Sequence, residues 1–187
     1  MKIHPDPEKS LIGGDWVFDD CPVLPVSPLA TCFHEAGHAV TGLMFRLPVV
    51  TAELFDHVPA AECFGIVRID GGVEAPNDFD PPDWVMQQAA LNWATMYCAG
   101  RQAEMLFHGI PQQGLIDFMD PDTRSARNIL FDFYGSSEPL YYCQERARHL
   151  LSKHWRAVDV LARLLLDQGT VDLREFVSAA CPQNQAN

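Results

Sequence analysis

Residues 27–45 read SPLATCFHEAGHAVTGLMF, and this stretch decides how the rest of the chain is interpreted. Ser27 followed by Pro28 is typical of a helix start, because serine caps a free backbone N–H group and proline has none to leave unpaired. The apolar pattern that follows predicts a helix as far as about Phe45. The pentapeptide HEAGH, residues 34–38, lies in the middle of that helix.

The HEAGH pentapeptide has the spacing of a metal-binding motif. Residues four apart lie on one helix face, so His34 and His38 can direct their imidazoles at one cation. A zinc ion held by two histidines and a third protein ligand keeps a position for water, and the adjacent Glu35 can take the proton of that water. A chance match is expected about once in a hundred chains of this composition. The sequence therefore predicts His34 and His38 as zinc ligands and Glu35 as the general base.

The third ligand must come from outside this helix. A metzincin would carry a glycine and a third histidine where Thr41 and Met44 stand, so that class is excluded. A gluzincin would use a glutamate on a later helix, for which Glu104 is a candidate.

The remaining residues predict a mainly α fold with a small β-sheet. The predicted strands are Val49–Phe55 and Cys63–Ile69, and the predicted helices are Trp84–His108, Pro121–Tyr134, Pro139 to about Asp167, and Val171–Ala180. Residues 70–83 are rich in Asp, Gly and Pro and predict a loop. We expect an irregular segment over 1–27, an α+β domain over 28–180 that ends in a C-terminal helical bundle, and a tail over 181–187.

Composition excludes several classes of partner. The net charge of −12 repels nucleic acid and anionic lipid, and the sequence has no apolar run long enough to span a bilayer or act as a signal peptide. The 6 cysteines are scattered without a CxxC pair, which is typical of buried thiols in a reducing compartment and argues against a zinc ribbon. We therefore expect a cytoplasmic protein that binds neither nucleic acid nor membrane.

Four segments of the chain resemble the protease domain of the FtsH-type proteases, which are membrane-anchored AAA enzymes. They are HEAGHAV at 34–40, GIV at 65–67, AGRQAE at 99–104 and DTRSAR at 122–127. The combination is highly specific, and the resemblance covers roughly residues 28–178. It implies a third zinc ligand that is an aspartate near the start of a later helix.

Three aspartates, Asp117, Asp120 and Asp122, compete for that role. The positions four, seven and eleven residues after Asp122 are apolar, so this residue is expected to face the core. The same count from Asp120 reaches mostly charged residues, and Pro121 makes Asp120 a natural N-cap. We expect Asp122 to be the ligand, with Asp120 and Glu104 as the alternatives.

The resemblance also implies roles for Glu104 and for an edge strand. Glu104 would pack against HEAGH and accept the free N–H of a ligating histidine, whereas the alternative is a salt bridge with Arg101. Gly65, Ile66 and Val67 would belong to an edge strand that holds an extended substrate by strand addition, whereas the alternative is an ordinary core strand.

The predicted activity is ATP-independent zinc endopeptidase action on peptides or on unfolded and flexible protein segments. The sequence has no GxxxxGK[ST] loop, so we expect no ATP-driven unfolding by the chain itself, and a homo-oligomer or a separate unfoldase partner is compatible with that. The alternatives are a non-peptidase zinc amide hydrolase and a catalytically silent peptide-binding module of the same fold.

Overall fold

The computed structural model of the protein describes residues 27–55, 64–71, 83–111 and 120–180. Within them the elements follow in the order α1 (Pro28–Met44), β1 (Val49–Phe55), β2 (Phe64–Ile69), α2 (Trp84–Phe107), α3 (Pro121–Tyr134), α4 (Pro139–Lys153), α5 (Trp155–Gln168), β3 (Thr170–Asp172) and α6 (Leu173–Ala180). The predicted class, mainly helical with a small sheet, is confirmed.

Helix α1 lies at the centre of the described fold. Its start is as predicted: the Ala30 backbone N–H donates to Ser27 Oγ at 3.1 Å, and proline occupies the first helical position. The helix packs against α2 and α5 and contacts β1 and β2. The Phe33 ring stacks between Phe107 of α2 and Trp155 of α5, with centroid distances of 4.4 and 5.3 Å. These contacts hold the residue before His34 in the core.

Glycine allows α1 and α2 to cross closely. A Cβ on Gly37 would lie 2.6 Å from the Ala99 carbonyl oxygen and 2.7 Å from Ala103 Cβ, which is closer than atoms pack. The small residues of both helices therefore bring the histidines of α1 against the surface of α2.

Among the described residues, the sheet has three antiparallel strands in the order β2-β1-β3. The predicted pairing of the first two strands is confirmed, with a register that runs from Val49 opposite Ile69 to Phe55 opposite Phe64. Strand β2 is an edge strand of this sheet, next to α1.

Strand β3 corrects the prediction of a helix that begins at Val171. Gly169 ends α5 with a φ of 73°, and Thr170–Asp172 then pair with β1, which buries Val171. Helix α6 begins at Leu173, where Asp172 Oδ1 accepts the backbone N–H groups of Arg174 and Glu175. Pairing with a central strand outweighs the local helix pattern, because it satisfies backbone groups and buries an apolar side chain together.

The predicted helix from Pro139 to about Asp167 is instead two helices, and the expected C-terminal bundle is not a unit of its own. The chain turns at His154, with φ −110° and ψ 21°, between α4 and α5. Helix α4 packs mainly on α2 and α5 mainly on α1, and the two contact each other little. The turn allows each apolar face to be buried against a different central helix.

Some predictions concern residues outside the described ones. These are the tail over 181–187, the irregular segment over 1–27 except Ser27, and most of the loop over 70–83. Among the helices that the structure describes, none combines the length and apolarity needed to cross a bilayer.

Candidate metal centre

Three side-chain atoms converge on one point between α1 and α3. His34 Nε2 lies 2.9 Å from Asp122 Oδ2, His38 Nε2 lies 3.0 Å from the same oxygen, and the two Nε2 atoms are 2.9 Å apart. The His38 side chain is buried, with 8% exposed, and those of His34 and Asp122 are 18% and 27% exposed. The structure therefore brings together the three residues that the sequence predicted as metal ligands.

The tautomers follow from the outer partners of the two rings. His38 Nδ1 is 2.7 Å from the Met96 carbonyl oxygen, which can only accept, so Nδ1 carries the hydrogen. His34 Nδ1 is 3.2 Å from Glu104 Oε1, which is again an acceptor when ionised. In the neutral form both Nε2 atoms then present lone pairs to each other and to a carboxylate oxygen. Three acceptors at this separation require a cation or a proton between them.

The pKa shifts of His34, His38 and Asp122 follow from the same close contacts between these side chains. Burial lowers the pKa of His34, but hydrogen bonds to Asp122 and Glu104 raise it further, so it lies well above its ordinary value. Burial likewise lowers the pKa of His38, and the charge of Asp122 more than offsets this. Burial would raise the pKa of the Asp122 carboxyl, but the two imidazoles hold it far below its usual range. The site thus stabilises positive charge next to an ionised Asp122.

The donor set fits zinc. Two imidazole nitrogens and one carboxylate oxygen are ligand types that zinc accepts, and tetrahedral bonds of about 2.0–2.2 Å place ligand atoms roughly 3.3 Å apart. The observed separations of 2.9–3.0 Å reach that value if each atom moves by a few tenths of an ångström. Among the described residues, His34, His38 and Asp122 form a group able to hold a metal ion.

Asp120 and Glu104, the alternative third ligands, have other partners. Asp120 caps α3, as predicted: its Oδ2 accepts the backbone N–H of Thr123 at 2.8 Å and the Thr123 hydroxyl at 2.7 Å. Glu104 contacts Nδ1 of His34, on the side of the ring away from Asp122. Asp117, the third aspartate, lies outside the described residues.

Glu104 makes both of the contacts that were weighed for it. Its Oε1 accepts a hydrogen bond from His34 Nδ1, and its Oε2 accepts one from Arg101 Nη1 at 3.5 Å. The first bond is the shorter and orients a ring of the site, while the arginine lies on the far carboxylate oxygen. The two alternatives are therefore compatible parts of one chain of contacts, from Arg101 through Glu104 to His34.

Gly100 makes room for both imidazoles. A Cβ at this position would overlap His38 Nε2 and His34 Nε2. The structure shows that the space is occupied by the histidine rings rather than by the backbone of α1.

Glu35 lies beside the three converging atoms and against β2. The residue is buried, and a Cβ on Gly65 would overlap its side chain. Burial raises the pKa of Glu35, and the nearby His38 and His34 lower it by less, so the carboxyl holds a proton more readily than an exposed glutamate. A carboxylate with a raised pKa is suited to accepting and returning a proton near neutral pH.

A cleft of about 270 Å³ opens over the site. It is lined by Glu35, His38, Gly65, Ile66, Val67, Ile69, Met96, Tyr97 and Asp122. Strand β2 forms one wall and α2 another, so the predicted strand residues Gly65, Ile66 and Val67 lie at the same opening as the candidate ligands His38 and Asp122. Comparison of the chain with protein-family models and with curated proteins finds no match.

Sequence reasoning missed two contributors from α2. Met96 offers its backbone carbonyl to His38, which no side-chain pattern encodes. Tyr97 lines the cleft. The sequence feature that could have predicted this is its position three residues before Gly100 and seven before Glu104, which places all three on one helix face.

Proposed function

We propose that this chain is a zinc metallopeptidase that hydrolyses peptide bonds in peptides or in unfolded and flexible protein segments without ATP. The observation that carries the proposal is the convergence of three acceptor atoms with Glu35 beside them in one cleft. The FtsH-type resemblance rests on segments that contain these same residues and implies the same chemistry. The proposed ligands are His34, His38 and Asp122.

Zinc bound to these atoms would polarise a scissile carbonyl and lower the pKa of a water molecule towards about 7. The protein contributes the fixed orientation of the rings. Met96 and Glu104 hold the two Nδ1–H groups, so both Nε2 lone pairs are presented to the metal. The same ligand types also hold ferrous iron in oxygenases, and elemental analysis separates the two metals.

Glu35 is the proposed general base. Its carboxylate takes a proton from the attacking water and returns it to the departing amine nitrogen. In the chain without metal, burial raises the pKa of this group, which strengthens it as a base for the first step. Gly65 leaves the space in which the carboxylate lies.

Strand β2 is the proposed binding element for substrate. Within the described sheet it pairs with β1 along one side only, and its residues line the cleft. An extended peptide that pairs with its other side would be bound through backbone hydrogen bonds, with little dependence on side chains. This favours unfolded or flexible segments as substrates, so a folded substrate would require a separate unfoldase.

The chemistry of the cysteines supports a reducing compartment. Cys32, Cys98 and Cys143 are buried, and Cys98 and Cys143 carry free thiols. Burial raises the pKa of the Cys98 and Cys143 thiols, which disfavours the reactive thiolate. We place the protein in the cytoplasm on this basis.

The test combines metal analysis with cleavage of casein and of a peptide library. The wild-type chain is expected to bind about one zinc ion, and His34→Ala or His38→Ala to lose it. Glu35→Gln keeps the shape of the side chain but accepts no proton, so it should retain zinc while turnover falls by roughly 10²–10⁴-fold.

Three results would count against the proposal. Near wild-type turnover in Glu35→Gln would reject the general base, and loss of zinc in that variant would indicate a ligand or structural role. Hydrolysis of small amides without cleavage of any peptide would favour the non-peptidase amide hydrolase. Zinc binding with peptide binding but no turnover would favour the silent module.

A further inference from the structure

We infer that Tyr97 is a further catalytic residue of this centre. Its hydroxyl donates a hydrogen bond to the carbonyl oxygen of the scissile peptide bond, which is the substrate oxygen that faces the metal. The inference rests on the proposed function. Its basis is the position of Tyr97 in the cleft and the lack of another free side-chain donor among the described residues that line it.

Helix α2 places Tyr97 next to the proposed ligands. Residues 97, 100 and 104 lie on one helix face because they are separated by three and four positions. The second of them, Gly100, contacts both imidazole rings, and the third, Glu104, holds His34 Nδ1. One turn earlier on this face, Tyr97 lines the cleft together with Glu35 and Asp122.

The other polar side chains of the cleft cannot serve as this donor. Ionised Glu35 and Asp122 only accept hydrogen bonds, and His38 uses its Nδ1–H on the Met96 carbonyl. The remaining lining side chains described by the structure are apolar or glycine: Gly65, Ile66, Val67, Ile69 and Met96. Tyr97 is therefore the side chain of this set that can supply an O–H group.

The Tyr97 hydroxyl is not committed to another described residue. No hydrogen bond joins it to the described part of the chain, whereas the Tyr134 hydroxyl donates to the Gln87 carbonyl oxygen at 2.9 Å. Its ring packs beside Trp93, with centroids 6.5 Å apart. Burial and then the charge of Asp122 raise the pKa of Tyr97, so the hydroxyl stays protonated at neutral pH.

A donor at this position stabilises the charge that develops during the reaction. Attack of water on the amide carbon moves electrons onto the carbonyl oxygen, which becomes a stronger acceptor in the transition state than in the bound substrate. A preorganised hydroxyl therefore acts on kcat more than on KM. Tyr97 exchanges no proton in this role and returns to its starting state after each turnover.

The experiment compares Tyr97→Phe with Tyr134→Phe in the zinc-loaded full-length chain. Both changes remove one hydroxyl, but the second lies outside the cleft lining and serves the contact between α2 and α3. Zinc content, kcat and KM for an unfolded substrate, and the Kd of acetohydroxamate are measured. Acetohydroxamate binds a zinc ion through its oxygen atoms, so its Kd can be measured even in a chain without peptidase activity.

Tyr97→Phe is expected to keep one zinc ion, to lower kcat about 10²–10³-fold with KM within about threefold, and to weaken acetohydroxamate about tenfold. Tyr134→Phe should match the wild type in zinc content, kcat, KM and the Kd of acetohydroxamate. Wild-type kcat and hydroxamate affinity in Tyr97→Phe would overturn the inference, and so would loss of zinc, which would make Tyr97 a ligand instead.

Failure of the proposed function gives a different result. A zinc-loaded chain that cleaves no peptide, yet binds acetohydroxamate more weakly only in Tyr97→Phe, would refute the peptidase proposal and support the donor role. A chain that takes up no zinc and binds no hydroxamate would overturn both.

Discussion

Asp122 and Asp120 lie two residues apart at the start of α3, and their partners differ completely. Asp122 Oδ2 meets the two imidazole nitrogens, and Asp120 Oδ2 meets the backbone and hydroxyl of Thr123. The difference is one of helix face, since a shift of two positions rotates a side chain by more than half a turn. Neighbouring carboxylates can therefore have separate effects on metal binding and on stability.

Asp122→Ala is expected to weaken zinc binding more than about 100-fold, because it removes one of the proposed ligands and even outer partners of zinc ligands are worth 10–100-fold. Asp120→Ala should keep zinc and lower the free energy of unfolding by about 0.5–2 kcal/mol through the lost cap. Zinc titration and thermal melting of both variants measure this. The reverse pattern would show that the ligand is Asp120.

Gly100 is the second decisive residue of the centre. Gly100→Ala puts a methyl group where the imidazole nitrogens lie, so the rings must move and zinc affinity should fall at least tenfold. The matched control is Gly135→Ala, where no atom of the described residues lies within 4 Å of the new methyl group and the expected cost comes from the positive φ of 65°. That control should lose about 1–2 kcal/mol of stability and no zinc affinity. Equal zinc affinity in both variants would contradict the proposed crowding.

At the scale of elements, the contact between β2 and α1 positions Glu35, the proposed general base, at the cleft. Glu35 follows His34 by one residue, so α1 directs it away from the face of the two histidines. Strand β2 covers it there, with Gly65 directly against its side chain. The strand thus holds the carboxylate and lines the cleft with the same residues.

Gly65→Ala tests this contact. The added methyl group displaces the Glu35 carboxylate, and a shift of about 1 Å can lower turnover roughly 10²-fold. Zinc content should not change, since Glu35 is not among the converging atoms. Arg68→Ala is the control in the same strand: it removes a surface ion pair with Glu53 and should leave turnover as it is. Wild-type turnover in Gly65→Ala would mean that the carboxylate has room elsewhere.

For the whole molecule, the proposed metal ion and protons would compete for one site, so we expect the pH dependence of stability to differ with and without zinc. In the chain without metal, His34 and His38 have raised pKa values, so their protonation stabilises the fold fully below about pH 6.5. This stabilisation is lost as the pH rises through the pKa values of the folded chain. Asp122 has a lowered pKa, so its ionised carboxylate stabilises the fold above about pH 3.8, and this stabilisation is lost as the pH falls further. The raised pKa of Glu35 also reduces stability as pH rises.

The EDTA-treated chain is therefore expected to melt at its highest temperature between about pH 4 and 6.5. Zinc requires unprotonated imidazoles, so the stabilisation it adds should grow as pH rises from about 5.5 to 8. Melting temperatures with zinc and with EDTA over this range measure the difference. A constant difference would show that the bound metal does not displace these protons.

The sequence by itself determined the elements whose signals are local. Ser27 and Pro28 encode the start of α1, and Asp120 with Pro121 encodes the start of α3, because caps depend only on neighbouring backbone groups. The four-residue spacing of His34 and His38 likewise sets their common helix face.

Only the tertiary structure decided what depends on contacts between distant segments. Strand β3 forms because β1 offers it a partner, and α4 separates from α5 because each packs on a different central helix. The positions of Met96 and Tyr97 at the centre follow from how α2 crosses α1. A carbonyl group and a hydroxyl acquire such roles through packing between segments, and local propensity carries no information about that packing.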